Sequence, residues 1–482
     1  MPFEEKYEIV VGLEVHAQLL TKTKLFCSDT TEFGKQPNTQ VSVVSLGYPG
    51  TLPRLNKEAI SLAVKLGLAC NCEIIRHNYF ARKNYFYADL PKGYQISQHT
   101  TPICKAGFLD IAVGSQTKNI RINRIHIEED AGKSLHDENS QFSNLDFNRA
   151  GMPLLEIVTE PDIRTAEEAF TYVTTLRKLV RHLGVCDGNM EQGSLRCDVN
   201  ISVRKKGDQK LGTKVEIKNL NSLRFIKKAI GHESERLISL LEAGKTILQE
   251  TRGFDENNFS TYSIRIKEDE DDYRYFPEPD LPPFVISNET IENIRSSMPA
   301  LPSQIKEKLI TEYKLSTYDA EQLSNDIELS NFFSQLASLC NKYKASANWI
   351  LGPIKNYLAA NEASLDEIRL EPDSIAELIN LIDNGTISYG IATHQIFPAI
   401  INSPSLKISQ YIKENQLQVQ TSQTDIENLI DAALNKHVEK ITEYKKGKKG
   451  LISLFVGEVM KLSNGKADAK LVTEKIIEKL KA

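Results

Sequence analysis

The sequence predicts an α+β fold at the amino end, followed by an all-α helical domain and a small all-α tail domain. Short alternating polar and apolar segments, interrupted by helical patterns in irregular order, indicate an α+β domain with an antiparallel sheet. The proline-rich segment DLPPFVISNETIENIRSSMPALPSQ marks a boundary, and the pattern is helical from Ser303 onward. A second polar break, SPSLKISQ, precedes the tail. We therefore expect domains over residues 1–292, 293–404 and 405–482.

The first predicted strand is YEIVVGLEVHAQL. Its alternation places Tyr7, Ile9, Val11, Leu13 and Val15 on one face, and Glu8, Gly12, Glu14, His16 and Gln18 on the other. Two helices should follow in this domain. Asn56 is suited to cap the run KEAISLAVKLGLA, and Thr165 with Glu168 predicts a capping box before AFTYVTTLRKLVRHLG.

Two later strands, RCDVNISVR and KVEIKN, are joined by a glycine-containing link that suits a hairpin. Their polar faces should therefore lie side by side and carry Arg196, Asp198, Asn200, Ser202, Arg204, Lys214, Glu216 and Lys218. The segment TYSIRIKED continues the pattern with Ser263, Arg265 and Lys267. One interpretation is the solvated outer face of a half-buried sheet. The other is a phosphate-binding face, which the mixture of Arg, Lys, Asp and Asn favours.

Glu14 and His16 lie two residues apart on one strand face, a spacing that lets both side chains reach one cation. Further carboxylates occur in IHIEEDAGK, at Glu128, Glu129 and Asp130, and in PLLEIV, at Glu156. Several carboxylates with one imidazole suit Mg²⁺, which prefers oxygen ligands. The commoner alternative for such a histidine is a buried ring bonded to a neighbour. We expect the acidic run KEDEDDYRYF to form a solvated turn.

Composition excludes several classes of protein. Among 482 residues, 40% are hydrophobic and 26% charged, which is typical of a globular protein, and no apolar run is long enough to cross a bilayer. The seven cysteines include no CxxC pair, so we expect reduced thiols, and without a leader sequence we expect a cytoplasmic protein. A Walker phosphate loop is excluded because Ser194 follows Gly193 where lysine is needed.

The tail differs from the rest of the chain in charge. Residues 405–482 contain fourteen Lys, no Arg and ten Asp or Glu, a net charge of +4 within a chain of net charge −5. Thr424 and Glu427 predict a capping box for one long helix, DIENLIDAALNKHVEKITEYKKGKK, which ends in clustered lysines. On charge alone, the lysines are either a solubilising helix end or a surface for nucleic-acid backbone.

Taken in order, several motifs resemble those of one family. They are IVVGLEVHAQL, KNYFYADLPKGYQISQ, RIHIEEDAGK, LDFNRAGMPLLEIVTEPD, DGNMEQGSLRCDVNISV, GTKVEIKNLNSLRF and DYRYFPEPDLPP. These motifs, with KLSTYDA, ANWILG and VGEVMKLSNGKADAKLV farther on, resemble the B-subunit (GatB) family of the glutamine-dependent aspartyl/glutamyl-tRNA amidotransferases. The resemblance covers nearly the whole chain.

The resemblance implies a carbon–nitrogen ligase that uses glutamine as the amide donor. ATP would phosphorylate the side-chain carboxylate of Glu-tRNA(Gln), Asp-tRNA(Asn) or both, and ammonia released by a partner A subunit would attack the acyl phosphate. It further implies a cradle domain related to glutamine synthetase, a small C subunit, and helical and tail domains that grip the tRNA. The cofactors would be ATP and Mg²⁺, and neither DNA nor a membrane would be a partner.

By resemblance, the metal-ligand candidates are Glu14, His16, Glu129 and Glu156, with the choice between Glu128 and Glu129 left open. Lys83 would contact the phosphate or the aminoacyl end, while Arg196, Asn200, Lys218 and Asn219 would line the phosphate face. The tRNA-binding candidates are Lys445, Lys446, Lys448, Lys449, Lys461 and Lys466.

One departure from the family concerns zinc. Many members carry a CxC…CxxC zinc knuckle near the start, but this chain keeps only Cys27, with Ser42 and Ser45 where cysteines would fall. We therefore expect no zinc there, and packing must hold the loop.

Two alternatives remain for the function. One is a non-catalytic tRNA-binding scaffold, which the intact Glu14, His16 and Glu156 disfavour. The other is a ligase that uses free ammonia without partner subunits. The sequence does not specify which misacylated tRNA is the substrate.

Overall fold

The structure is a computed structural model that describes residues 6–114, 116–136, 142–266, 273–419, 423–463, 465–467 and 469–481. The chain divides into two compact units, residues 1–301 and residues 302–482. Within these units the buried apolar residues form three clusters, which end at Ile294, Leu417 and Leu480. The division into three domains at 292 and 404 stays a prediction.

The first unit contains all the described strands. They are β1 (Tyr7–Gln18), β2 (Glu73–Ile74), β3 (His77–Asn78), β4 (Ala81–Asn84), β5 (Tyr94–Ser97), β6 (Cys104–Val113), β7 (Gln116–Glu129), β8 (Lys133–His136), β9 (Ser143–Asp146), β10 (Pro153–Thr159), β11 (Leu195–Lys205), β12 (Val215–Leu220), β13 (Glu250–Asp255), β14 (Ser260–Ile266), β15 (Phe276–Pro277) and β16 (Phe284–Val285).

Nine of the described strands form one large sheet in the order β14-β13-β12-β11-β1-β10-β7-β6-β2. Its pairs are antiparallel except β12 and β13, which run parallel, so the predicted antiparallel sheet is in fact mixed. Smaller sheets pair β15-β4-β5, β16-β3 and β8-β9. The predicted hairpin of β11 and β12 is confirmed, with Asn200 opposite Glu216.

One face of the large sheet packs on the helices Lys57–Ala69, Ala166–His182 and Leu223–Glu242. The predicted apolar face of β1 lies in this core, with Leu13 and Val15 almost fully buried. The helix Lys57–Ala69 approaches β6 closely because Gly67 has no side chain, and a Cβ there would meet Cys104 Sγ at 2.3 Å. The opposite face of the sheet is therefore free to carry polar side chains.

The predicted helix caps form largely as expected. Asn56 accepts a hydrogen bond from the backbone N–H of Glu58 at 2.9 Å. Thr165 accepts one from the N–H of Glu168 at 3.0 Å. The Glu168 carboxylate, however, accepts from the backbone N–H of Arg164 and not from that of Thr165, so the capping box is displaced by one residue.

Helices make up the second unit, as predicted. Together with the last helix of the first unit, Asn288–Ser297, the helices are Pro302–Thr311, Thr317–Ser324, Ile327–Cys340, Tyr343–Trp349, Lys355–Asn361, Leu365–Ile368, Pro372–Asp383, Tyr389–Ile391, Phe397–Asn402, Ile408–Glu414, Gln423–Lys436, Val438–Lys445, Ile452–Leu462 and Ala469–Lys481. Two π-helical turns, Ile350–Ile354 and Ala392–Ile396, and the 3₁₀ turn Lys449–Leu451 lie between them.

The prediction of one long tail helix is wrong in one respect. The helix is interrupted at His437, whose φ of −127° and ψ of 40° lie outside the helical region, and it continues as Val438–Lys445.

Three predictions lie outside the described residues: Lys267, most of the run KEDEDDYRYF, and the side chain of Thr424. No helix in the described part of the chain is long and apolar enough to span a membrane. All seven cysteines are free.

Candidate functional site

A row of polar side chains crosses four neighbouring strands on the open face of the large sheet. The register places His126 of β7 beside Glu156 of β10, Glu156 beside His16 of β1, and His16 beside Arg196 of β11. Each of these residues alternates with apolar residues that face the helices. The strand register therefore assembles the site from residues that are far apart in the sequence.

His16, Glu128 and Glu156 form the first acidic cluster, with His126 at its edge. The Glu156 carboxylate lies 3.1 Å from His126 Nε2 and 3.6 Å from His16 Nε2. The Glu128 oxygens lie 3.8 Å from His16 Nε2 and 3.5 Å from His126 Nε2. These side chains are largely buried, so their charges act in a medium less polar than water.

Charge pairing within this cluster shifts the pKa values of its members. Burial alone would lower the pKa of His16, but Glu156, Asp198 and Glu128 outweigh burial and raise it to about 8. The same opposition raises the pKa of His126 to about 9. Burial raises the pKa of the Glu156 carboxyl, but the two imidazoles more than offset this and hold it well below its usual range.

Glu14, Asp198 and Glu216 form the second acidic cluster. Glu14 lies directly opposite Asp198 in the β1–β11 register and accepts a hydrogen bond from Asn200 Nδ2 at 2.8 Å. Burial, followed by the charges of neighbouring carboxylates, raises the pKa of Glu14. Lys218 bridges Asp198 and Glu216 at 3.2 Å and 3.0 Å.

Glu14 and His16 therefore belong to neighbouring clusters of three groups. The ligand atoms within each cluster lie within 4.8 Å of one another. Two buried polar atoms at the site, His126 Nδ1 and Asn200 Oδ1, have no hydrogen-bond partner among the described residues. The first cluster offers two carboxylates and one imidazole, and the second offers three carboxylates; both donor sets suit a divalent cation.

Asn219 takes part in the site through its backbone. It adopts a left-handed conformation, with a φ of 57°, at the end of β12. In this conformation its N–H donates to Asp198 Oδ1 at 2.8 Å, while its side chain is exposed. Asp198 is thereby oriented by a strained residue, a feature that is common at functional sites.

Lys83 lies on β4 and faces the first cluster. Its Nζ is 4.8 Å from the ring centre of Tyr273 and 5.8 Å from that of Tyr85. Burial lowers the pKa of Lys83, but Glu128, the tyrosines and Glu156 outweigh this and raise it. The ammonium group therefore stays charged close to the carboxylates.

Glu128 and Glu129 lie in different surroundings. Glu129 points away from the clusters, where its carboxylate pairs with Lys92 and accepts from the backbone N–H of Ile96 at 2.9 Å. Glu128, by contrast, shares the open face with His126 and Glu156, so the geometry favours Glu128 and the metal-ligand role of Glu129 stays a prediction.

Arg196 is held by a carboxylate of the same region. Its Nη2 donates to Asp130 Oδ2 at 2.9 Å, and Gln18 donates to the same oxygen at 3.3 Å. Burial raises the pKa of Asp130, but Arg196 and Arg149 outweigh this and lower it. The position predicted for Arg196 on the polar face is confirmed, although Asp130 already compensates its charge.

Hydrogen bonds organise the loop after Cys27. The Asp29 carboxylate accepts from the N–H of Ser42 at 2.9 Å and from the Ser45 hydroxyl. Cys27 Sγ lies 3.3 Å from the Ser45 hydroxyl. The two serines predicted at former cysteine positions thus bind a carboxylate.

The tail lysines at 445, 446, 448, 449 and 461 are exposed, and Lys466 is half-buried. Lys448 pairs with Glu443 at 2.9 Å, and Lys449 lies 4.4 Å from the ring centre of Tyr444. Their assignment to tRNA stays a prediction.

Sequence reasoning missed His126 as a member of the site and gave no metal role to Asp198 or Glu216. A signal for His126 existed, because His126 and Glu128 repeat the two-residue spacing of Glu14 and His16 on a second strand. Asp198 and Glu216 were placed on the polar faces of β11 and β12. Only the pairing of β1 with β11 shows that they meet Glu14.

Comparison with known proteins agrees with the motifs. Residues 9–292 match the family model described as the GatB/GatE catalytic domain, and residues 331–480 match the GatB domain. A relative from Thermodesulfovibrio yellowstonii is 48% identical over 476 residues, covering 99% of this chain and 100% of the relative. Another, from Persephonella marina, is 47% identical over 477 residues, with coverage of 99% and 100%. Both relatives are named as the B subunit of an aspartyl/glutamyl-tRNA(Asn/Gln) amidotransferase.

Proposed function

The chain belongs to the GatB family of tRNA amidotransferase B subunits, and we propose that its open sheet face carries the ATP-dependent activation step. The substrate would be Glu-tRNA(Gln), Asp-tRNA(Asn) or both. The side-chain carboxylate would attack the γ-phosphorus of ATP, releasing ADP and forming an acyl phosphate. Ammonia from the A subunit would then displace phosphate and form the amide. We assign this reaction to the carbon–nitrogen ligases that use glutamine as amide donor.

The observation that carries this proposal is the pair of acidic clusters on one sheet face, with Lys83 beside them. Divalent cations would be held by His16, Glu128 and Glu156, and by Glu14, Asp198 and Glu216. Mg²⁺ supplies neutralisation of phosphate charge and orientation of the phosphoryl oxygens. The sequence contains no Walker phosphate loop, and in this proposal side chains of the strands would provide the positively charged groups.

The protein's own side chains would position the reactants. Lys83 would place its ammonium group against a phosphoryl or aminoacyl oxygen, because its charge is maintained by Glu128 and Glu156. Lys218 holds Asp198 and Glu216 in place, and Asn200 does so for Glu14. Arg196, tied to Asp130, would present a fixed cation at the border of the phosphate face.

We further propose that the second unit and its tail bind the tRNA and that A and C subunits complete the enzyme. A glutamine-synthetase-like cradle is the fold relationship we propose for the first unit. The exposed lysines of residues 445–449 would contact RNA phosphates without reading sequence.

The test is ATP turnover by the complex of this chain with its A and C partners, measured with and without misacylated tRNA. The double variant Glu14→Ala, His16→Ala removes one group from each cluster and should lose tRNA-dependent turnover while still binding tRNA. Glu242→Gln, which alters a surface carboxylate paired with Lys6, is the matched control. Undiminished turnover in the double variant would contradict the proposal.

A further inference from the structure

A cavity of about 700 Å³ lies beside the first acidic cluster, on the outer side of β6 and β7. Its lining includes Lys105, Arg124, Asn123 and His99. Arg124 precedes His126 by two residues on β7 and faces the same side, since Ile125 and Ile127 are buried in the core. At the rise of a strand, the two residues are about 7 Å apart, so the cavity continues the site.

Irregularities in both strands build this cavity. On β6, the buried residues Cys104 and Gly107 enclose two consecutive exposed residues, Lys105 and Ala106. On β7, the buried residues Ile122 and Ile125 enclose the exposed Asn123 and the half-buried Arg124, and the register against β10 shifts at this point. Ala106 adopts a left-handed conformation, with a φ of 53°, that residues with a side chain rarely adopt. Such bulges redirect side chains next to active sites.

The bulges place two cations against each other. Lys105 and Arg124 are direct partners in the β6–β7 register, an arrangement that destabilises a sheet when the charges are alike. Neither makes an ion pair with any described residue, and Arg124 donates to the neutral side-chain amide of Asn123, at 3.2 Å. Arg121, in the same lining, is instead fully paired with Asp162.

The cavity lining carries a carboxylate, Glu160, which accepts a hydrogen bond from Asn123 Nδ2 at 2.7 Å. His99, at the cavity, stacks on Tyr275 with ring centres 4.0 Å apart. Two cations with neighbouring amides suit the phosphate of a nucleotide, and a stacked aromatic platform suits its base. The volume lies in the range of small-molecule sites.

We propose that Lys105 and Arg124 bind a phosphate group of a ribonucleotide in this cavity. The phosphate relieves the repulsion that the bulges create and is held close to the first acidic cluster. The identity of the ligand rests on the proposed function. The phosphate belongs either to ATP or to the backbone at the aminoacylated end of the tRNA. These two sources share the same phosphate chemistry, and kinetic measurements separate them.

The experiment uses the complete complex with Lys105→Gln and Arg124→Gln, and measures KM for ATP and KM for charged tRNA. Each variant should raise the KM of one ligand on the order of tenfold, as loss of a charged hydrogen bond does. A raised KM for ATP identifies the nucleotide, whereas a raised KM for tRNA with a shallower salt dependence identifies the RNA. Because each variant removes a like-charge repulsion, its Tm should be equal to or above that of the wild type.

Lys118→Gln is the matched control, since Lys118 is a β7 cation paired with Glu168 outside the cavity. Unchanged KM values for both ligands in Lys105→Gln and Arg124→Gln would overturn the phosphate site, as would an equal increase in Lys118→Gln. Failure of the wild-type complex to turn over ATP with misacylated tRNA would instead contradict the proposed function.

Discussion

Replacing Glu128 with Gln should weaken the dependence of activity on Mg²⁺ far more than the same change at Glu129. The two carboxylates are adjacent in sequence, equally buried and identical in chemistry, but only Glu128 faces His16, His126 and Glu156. This pair therefore tests the placement of the metal site with almost all other variables held constant.

The expected magnitude follows from the ligand set. Glu128 supplies one of the three ligand atoms of its cluster. Replacing groups that merely support metal ligands already lowers metal affinity by about 10–100-fold. Loss of the ligand itself should therefore raise the Mg²⁺ concentration for half-maximal ATP turnover at least tenfold. Glu129→Gln should leave that concentration unchanged and should lower stability instead, because Lys92 and the N–H of Ile96 lose a charged partner.

The assay is tRNA-dependent ATP hydrolysis by the complete complex over a titration of Mg²⁺, with thermal unfolding measured in parallel. Equal shifts of the Mg²⁺ midpoint in the two variants would refute the geometry of the first cluster. A shift in Glu129→Gln alone would return the ligand role to that residue.

Three further outcomes are expected. In EDTA, the free energy of unfolding in denaturant titrations should fall on the order of 2–5 kcal/mol as pH rises from 6.5 through 9. The reason is that the raised pKa values of His16 and His126 stabilise the fold only while both rings are protonated. A free energy that does not change with pH would contradict the pairing of these histidines with the carboxylates. Changing the four lysines of residues 445–449 to Gln should raise KM for charged tRNA and flatten its salt dependence, with KM for ATP as the internal control. Asp29→Asn should weaken the loop after Cys27 by about 1–3 kcal/mol and hasten its proteolysis, whereas unchanged cleavage would show that packing alone holds the loop.

Local patterns predicted the parts of the site that depend on one strand. The alternation of β1 placed Glu14 and His16 on the polar face because that strand pairs regularly along its length. The glycine-containing link likewise predicted the pairing of β11 with β12. Both features follow from neighbouring residues, which is why sequence reasoning found them.

Long-range register accounts for what the sequence did not show. His126 joins His16 only because β10 lies between β7 and β1 and carries Glu156 in the same row. The parallel pairing of β12 with β13 depends on the long connection through the helix Leu223–Glu242, so no hairpin pattern predicts it. The bulges at Lys105 and Arg124 have no glycine or proline at the cations themselves to mark them.

In the loop after Cys27, one feature can be predicted from the sequence and another cannot. Loss of the cysteines is visible in the sequence, because a single thiolate cannot provide the four ligands of a structural zinc site. The replacement is visible only in the structure. Asp29 stands at the second position of the CxC motif, two residues after Cys27, and its carboxylate gathers Ser42 and Ser45. Burial raises the pKa of Asp29, but these hydrogen bonds outweigh burial and lower it, so the loop is held by an anion at neutral pH. A carboxylate that accepts hydrogen bonds from neutral donors thus lies where thiolates would otherwise bind a zinc ion.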